Sequence, residues 1–182
     1  MRKIIIAAAA AGLMAGPFAA ATASPEEDLK DFRAYFQEKF PEVEFEEYKN
    51  GVYAVDEDRR MQWEAQEVFP SYIPGVEKGE ELYNEHADVY RQCFGEDAPG
   101  VKTDFPRWDA ENQRVLTLEL AINECRENAG LEPYGWKKGN LAALSAYIGY
   151  ESRGDVIDVE IPNAAAEAAY EDGKQFFYAK RG

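Results

Sequence analysis

Apolar residues in the first part of the chain recur at helical spacing. In PEEDLKDFRAYFQEKF, residues 25–40, Leu29, Phe32, Tyr35 and Phe36 fall at i, i+3, i+6 and i+7 behind a first turn of acids. That spacing predicts an amphipathic helix, which Pro41 stops. A second helix is predicted over DEDRRMQWEAQEVF, capped by Asp56 and carrying Met61, Trp63 and Val68. Between the two, GVYAV reads as a short strand or an extended crossing. VEKGEELYNEHADVYRQCF predicts one helix with Leu82, Tyr83, Val89 and Tyr90 on its stripe. Gly, Pro and Asp then concentrate over residues 95–114 and predict a surface loop, long enough that a function is expected of it. Thr117 is predicted to cap TLELAINECRENAG, with Leu118, Ile122 and Cys125 on one face and Gly130 at its end. KKGNLAALSAYIGYESRG predicts a further helix carrying Leu141, Leu144 and Ile148. Apolar stripes of this kind are most often core. The fold class is mainly α.

The first residues form no part of that pattern. Arg2 and Lys3 precede the apolar run IIIAAAAAGLMAG, and Ala21-Thr22-Ala23 offers small residues at a cleavage site. Residues 1–23 therefore read as a secretory signal peptide rather than a membrane anchor, since the run is short and Pro17 interrupts it. The mature chain is expected to start near Ser24.

At 182 residues, with 46% apolar and 30% charged residues, the chain suits one folded domain with its own core. Its net charge of −15 becomes −17 once the two leader cations are removed. So acidic a surface repels phosphate backbones and anionic lipids. Nucleic acid and membrane partners are excluded on that ground, which leaves a basic protein partner or simple solubility.

Two cysteines, Cys93 and Cys125, stand in a chain read as exported. In an oxidising compartment such a pair forms one disulfide more often than two free thiols. The single histidine, His86, lies seven residues before Cys93 with no second histidine near it, so it reads as a surface histidine rather than a metal ligand. Neither Ser-His-Asp nor Cys-His catalysis has a local signature. No catalytic, cofactor-binding or metal-binding residue is assigned.

The end of the chain matches its own interior. Setting Gly79 against Gly173 places VEKGEELY, from Val76, over YEDGKQFF, from Tyr170, so that Gly meets Gly and apolar meets apolar. Residues 163–182 then read as the restart of a unit whose first copy runs from about Val76 to Gly154, with Phe176, Phe177 and Tyr178 on the new helix. The unit resembles a cytochrome c domain, in which a Gly-x-x-(Leu/Phe)-(Tyr/Phe) helix comes first and a helix like LAALSAYI closes over haem. The Cys-x-x-Cys-His motif that tethers haem is absent: Cys93 is followed by FGED.

NGVYAVDEDRRMQWEAQEVFP, VLTLELAINECRENAG, KKGNLAALSAYIGYESRG and AAYEDGKQFFYAKRG, in this order behind a leader, resemble SoxA, the larger cytochrome subunit of the periplasmic SoxAX complex. The resemblance implies a degenerate cytochrome c-like domain over residues 24–162 with an N-terminal helical extension, followed over 163–182 by the first helix of a second cytochrome c domain. It implies the haem-less form of the first domain, which carries a disulfide at Cys93 and Cys125. SoxA chains continue past the KRG-like sequence into Cys-x-x-Cys-His, so haem c and the catalytic groups are expected beyond Gly182. The implied activity is that of an L-cysteine S-thiosulfotransferase, which joins thiosulfate oxidatively to a cysteine of the SoxYZ carrier and passes electrons to cytochrome c, with SoxX as partner. A free-standing, haem-less periplasmic interaction module is the alternative.

Overall fold

A computed structural model describes residues 23–136 and 139–180. The leader, apart from Ala23, lies outside the described residues. The order of elements is helix α1 (Pro25–Lys39), a 3-10 segment (Phe45–Ala54), α2 (Glu57–Glu67), α3 (Ile73–Glu85), α4 (Ala87–Phe94), a second 3-10 segment (Ala98–Asp104), an antiparallel hairpin of β1 (Arg107–Asp109) and β2 (Arg114–Leu116), α5 (Leu118–Asn128), α6 (Asn140–Glu151) and α7 (Ala164–Lys180). The mainly helical class expected from the pattern is what the chain adopts.

Helix starts follow their local chemistry. Ser24 accepts from the Glu27 amide while the Glu27 carboxylate takes the Ser24 amide, a capping box, with Pro25 in the first turn. Asp56 accepts from the Arg59 amide at the head of α2, and Thr117 from the Leu120 amide at the head of α5. At the far end of α5, Gly130 takes φ +73°, and the amides of Gly130 and Leu131 return to the carbonyls of Glu127 and Arg126. This closes a Schellman motif, which needs the left-handed conformation that glycine adopts without steric cost.

The core is built by α3, α4, α5 and α6. Tyr83, Tyr90, Leu118, Ile122, Leu141, Leu144 and Ile148 are buried together, joined by Ala98 and Phe105 from the segment after α4 and by Leu116 from β2. At the crossing of α3 over α6 there is no room for a side chain at residue 79. A Cβ there would lie 2.1 Å from the Ala143 carbonyl oxygen and 2.6 Å from the Tyr147 Cβ, so glycine is what lets the two helices touch. The Ser145 hydroxyl donates to Glu119 at 2.6 Å, tying α6 to α5. The Lys102 amide donates to the Ser152 hydroxyl at 3.2 Å, tying the second 3-10 segment to the end of α6.

Four expectations are corrected. GVYAV is neither strand nor crossing but the end of the first 3-10 segment, kinked at Gly51. Its β-branched and aromatic residues find no neighbouring strand; Tyr53 instead stacks on Trp63 of α2 with ring centroids 5.4 Å apart. The helix expected over residues 76–94 breaks at His86, whose φ of −137° ends α3 and starts α4. The bend lets Tyr83 and Tyr90 stack at 5.5 Å in the core. The expected surface loop over 95–114 holds a 3-10 segment and β1, and it contributes buried Ala98 and Phe105. Finally, the stripes of α1 and α2 are not core: neither helix buries a residue, and Phe32 and Met61 are about 60% exposed.

Candidate functional site

Two regions carry chemistry that the fold alone does not use. The first is the place where a cytochrome c unit would tether haem. The Cys93 and Cys125 sulfurs are bonded to each other, tying the last turn of α4 to α5 across 32 residues. Cys93 sits at the surface and Cys125 is buried. Next to Cys125, Arg126 is also buried, without a carboxylate partner among the described residues. Its Nε donates to the Glu132 carbonyl at 2.9 Å, one terminal nitrogen donates to the Tyr90 hydroxyl at 2.9 Å, and its guanidinium lies 3.7 Å from the centre of the Tyr134 ring. Arginine suits this position because its delocalised charge tolerates stacking and a shared set of acceptors. Asn123 completes the arrangement by pairing with both the amide and the carbonyl of Tyr134. Burial pushes the Tyr90 phenol up to about 12, with Arg126 opposing the rise, so Tyr90 stays neutral throughout the physiological range.

These residues do not fit haem. Covalent attachment needs two thiols within one helical turn of each other and an adjacent histidine. Here the two thiols are spent on one another, and His86 stands at the α3–α4 bend, seven residues before Cys93. The space between α3, α5 and α6 is filled by Tyr83, Tyr90, Leu118, Ile122, Leu144 and Ile148. Among the described residues no group of three or more His, Cys, Asp or Glu is placed to hold a metal ion.

The second region is a groove of about 1150 Å³ between α1, residues 159–162 and α7. Its floor is apolar, with Leu29, Phe32, Val159, Ile161 and Tyr178 among its lining. At one end Asp28 of α1 accepts from the Tyr170 hydroxyl at 3.0 Å and from the Lys174 ammonium at 2.5 Å, a clip between α1 and α7 across more than 140 residues. The Lys174 hydrogen bond holds the Asp28 carboxyl below its ordinary value against the opposing effect of desolvation, and Asp28 in turn raises Lys174. Asn163 caps α7 through the amides of Ala165 and Ala166, and Ala166 is buried. The helix is thus held over its first half, while Phe177 and Tyr178 are more than half exposed. Gly173, aligned in sequence with Gly79, has nothing within 4 Å of where its Cβ would be.

Sequence reasoning found the disulfide and the exposed aromatics of the last helix, and it missed Arg126 and the Asp28 clip. Arg126 had a signal, since Leu118, Ile122 and Arg126 share one face at i, i+4 and i+8. The clip had none.

The described geometry is that of a helical unit whose core is pinned by a disulfide and a buried arginine. Residues 78–157 match the SoxA/TsdA cytochrome c domain family. The L-cysteine S-thiosulfotransferase subunit SoxA of Allochromatium vinosum is 47% identical over 179 residues, 96% of this chain and 63% of that protein. This chain belongs to the SoxA family. The subunit of the same name from Chlorobaculum tepidum is 46% identical over 158 residues, 85% of this chain and 55% of that protein. That from Paracoccus pantotrophus is 31% identical over 88 residues, 48% of this chain and 30% of that protein. The chain thus spans between about half and two thirds of the length of the first two relatives. No solved structure matches it significantly. Among the described residues no helix is long and apolar enough to cross a membrane.

Proposed function

We propose that the chain is the first part of a SoxA subunit of a periplasmic SoxAX haem enzyme, which conjugates thiosulfate oxidatively to a cysteine of the carrier SoxYZ and delivers electrons to cytochrome c. In this reading residues 24–162 are a haem-less cytochrome c-like domain with an N-terminal helical extension. Residues 163–182 open a second cytochrome c domain, and the haem c and catalytic groups belong to sequence that follows α7. The role of residues 24–162 is that of a scaffold: the disulfide and the Arg126 cluster hold α4, α5 and the 131–134 segment rigid, and the Asp28 clip sets α7 against α1. The observation that carries this reading is the 47% identity over 179 residues to the A. vinosum subunit. The open face at Gly173 supports the second unit, because a glycine in mid-helix costs stability unless a close crossing uses it.

The test is expression of this chain, and of the full product of its gene, with SoxX and a cytochrome c maturation system. The full product is expected to stain for haem after denaturing electrophoresis and to conjugate thiosulfate to SoxYZ. The 182-residue chain alone is expected to do neither, since its thiols lack the attachment spacing. A haem-staining band on the shorter chain would refute the assignment. The second reading, a haem-less interaction module, is favoured by buried Ala166 and the Asp28 clip, which anchor α7 to this chain.

A further inference from the structure

We propose that the groove between α1, residues 159–162 and α7 is a docking site for a basic amphipathic segment of a partner protein. The first observation is the apolar stripe of α1. Its capping box, N-terminal proline and acidic first turn specify this helix locally, yet Leu29, Phe32 and Tyr35 are each about half exposed or more. Their spacing is that of a helix meant to cover something, and large apolar side chains gathered in one exposed groove mark an interaction surface. The second is size and shape. At about 1150 Å³ and walled by two helices, the groove exceeds the usual range of small-molecule pockets, roughly 300–1,000 Å³, and suits a helix laid between them.

The third observation is charge, and it selects the occupant. Among the described residues the groove lining carries Glu26, Asp28, Asp31 and Glu160 against one cation, Lys174, which Asp28 and Glu171 already hold. Glu26, Asp31 and Glu160 are exposed and join no described cation in an ion pair. An apolar floor with a carboxylate rim takes an apolar stripe flanked by lysine or arginine. A second copy of a chain of net charge −15 would bring like charge to the same rim. Anionic lipid is disfavoured for the same reason. The inference is independent of the haem reading, since its measurement needs neither haem nor thiosulfate.

The experiment uses the full product of the gene, so that any sequence after α7 is free to cover the groove, and a fluorescent 15-residue helical peptide with leucine at i, i+3, i+4 and i+7, flanked by lysine, together with its glutamate-flanked counterpart. Anisotropy at low salt is expected to show binding of the lysine peptide only. The groove variant E26K/D31K/E160K should weaken it at least tenfold, and Leu29→Ser with Phe32→Ser should do the same. These side chains are exposed, so both variants should fold, which circular dichroism checks. Reversal of three exposed acids on other elements, E57K/E111K/E127K, should change affinity less than threefold. Equal loss in the two triple variants would reduce the binding to net charge and overturn the proposal. So would unchanged affinity in the leucine and phenylalanine variant, no binding of the lysine peptide, or sedimentation as a dimer that those variants abolish.

Discussion

Replacing Gly79 with alanine is expected to destabilise the chain by about 3 kcal/mol, the upper range for forcing atoms into a packed interior. The added methyl would sit 2.1 Å from the Ala143 carbonyl oxygen and 2.6 Å from the Tyr147 Cβ, and both belong to a helix that cannot give way locally. Either α3 and α6 separate, opening the cluster of Tyr83, Leu144 and Ile148, or one of them shifts in register. The better helix propensity of alanine returns only about 1 kcal/mol. Denaturant unfolding monitored by circular dichroism measures the difference. A variant as stable as the parent would mean that the crossing is looser than the structure has it.

The next largest effect is expected from the disulfide. Opening a bond that joins residues 32 apart should cost about 3–4 kcal/mol in the chain-entropy account. For a chain of this size that lowers the melting temperature by roughly 10 °C. The core is otherwise continuous from Tyr90 to Ile148, so the double variant C93S/C125S should still fold and unfold cooperatively at the lower temperature. Differential scanning calorimetry of oxidised, reduced and double-serine protein provides the measurement. The reduced protein and the double-serine variant should agree with each other. A shift under about 2 °C would show that the Arg126 cluster alone holds α4 to α5.

The helices whose ends carry explicit chemistry were legible in the sequence. Ser24 with Glu27, Asp56, Thr117 and Gly130 each announce a boundary through a side-chain acceptor or a left-handed turn, and the structure puts the boundaries there. Where the deciding contact is tertiary, the pattern misled. Nothing local to His86 breaks a helix, and the bend there is stabilised by Tyr83 stacking on Tyr90. GVYAV has strand-like residues but no partner strand, and Trp63 draws Tyr53 into a compact turn. The hairpin at 107–116 is held by Asp109, which accepts from the Asn112 side chain and amide and pairs with Arg114. The Asn112 bonds and Arg114 bring its carboxyl down to about 2, a local network hidden inside what composition reads as loop.

The candidate site was legible in unequal parts. The cysteine pair followed from their number and the leader, whereas the glycine crossing was not read: the match of Gly79 to Gly173 pointed to a repeated helix and carried no sign that α6 touches α3 at residue 79. The clip of Asp28 on Tyr170 and Lys174 could not be read, because those residues are more than 140 positions apart and each is ordinary in its own helix. The exposure of α1 could not be read either, since periodicity reports that a helix has an apolar face and not whether this chain covers it.

The proposal that α7 repeats α3 is tested most directly by the stability effect of Gly173→Ala, measured by denaturant unfolding in this chain and in the full product of its gene. In this chain nothing lies within 4 Å of the added Cβ, so the change should be neutral or stabilising by up to about 1 kcal/mol. In the full product, where a second unit would cross α7 at that glycine as α6 crosses α3 at Gly79, the same change should cost about 3 kcal/mol and lower haem incorporation. A neutral effect in both, or a gene that encodes nothing after Gly182, would contradict the account.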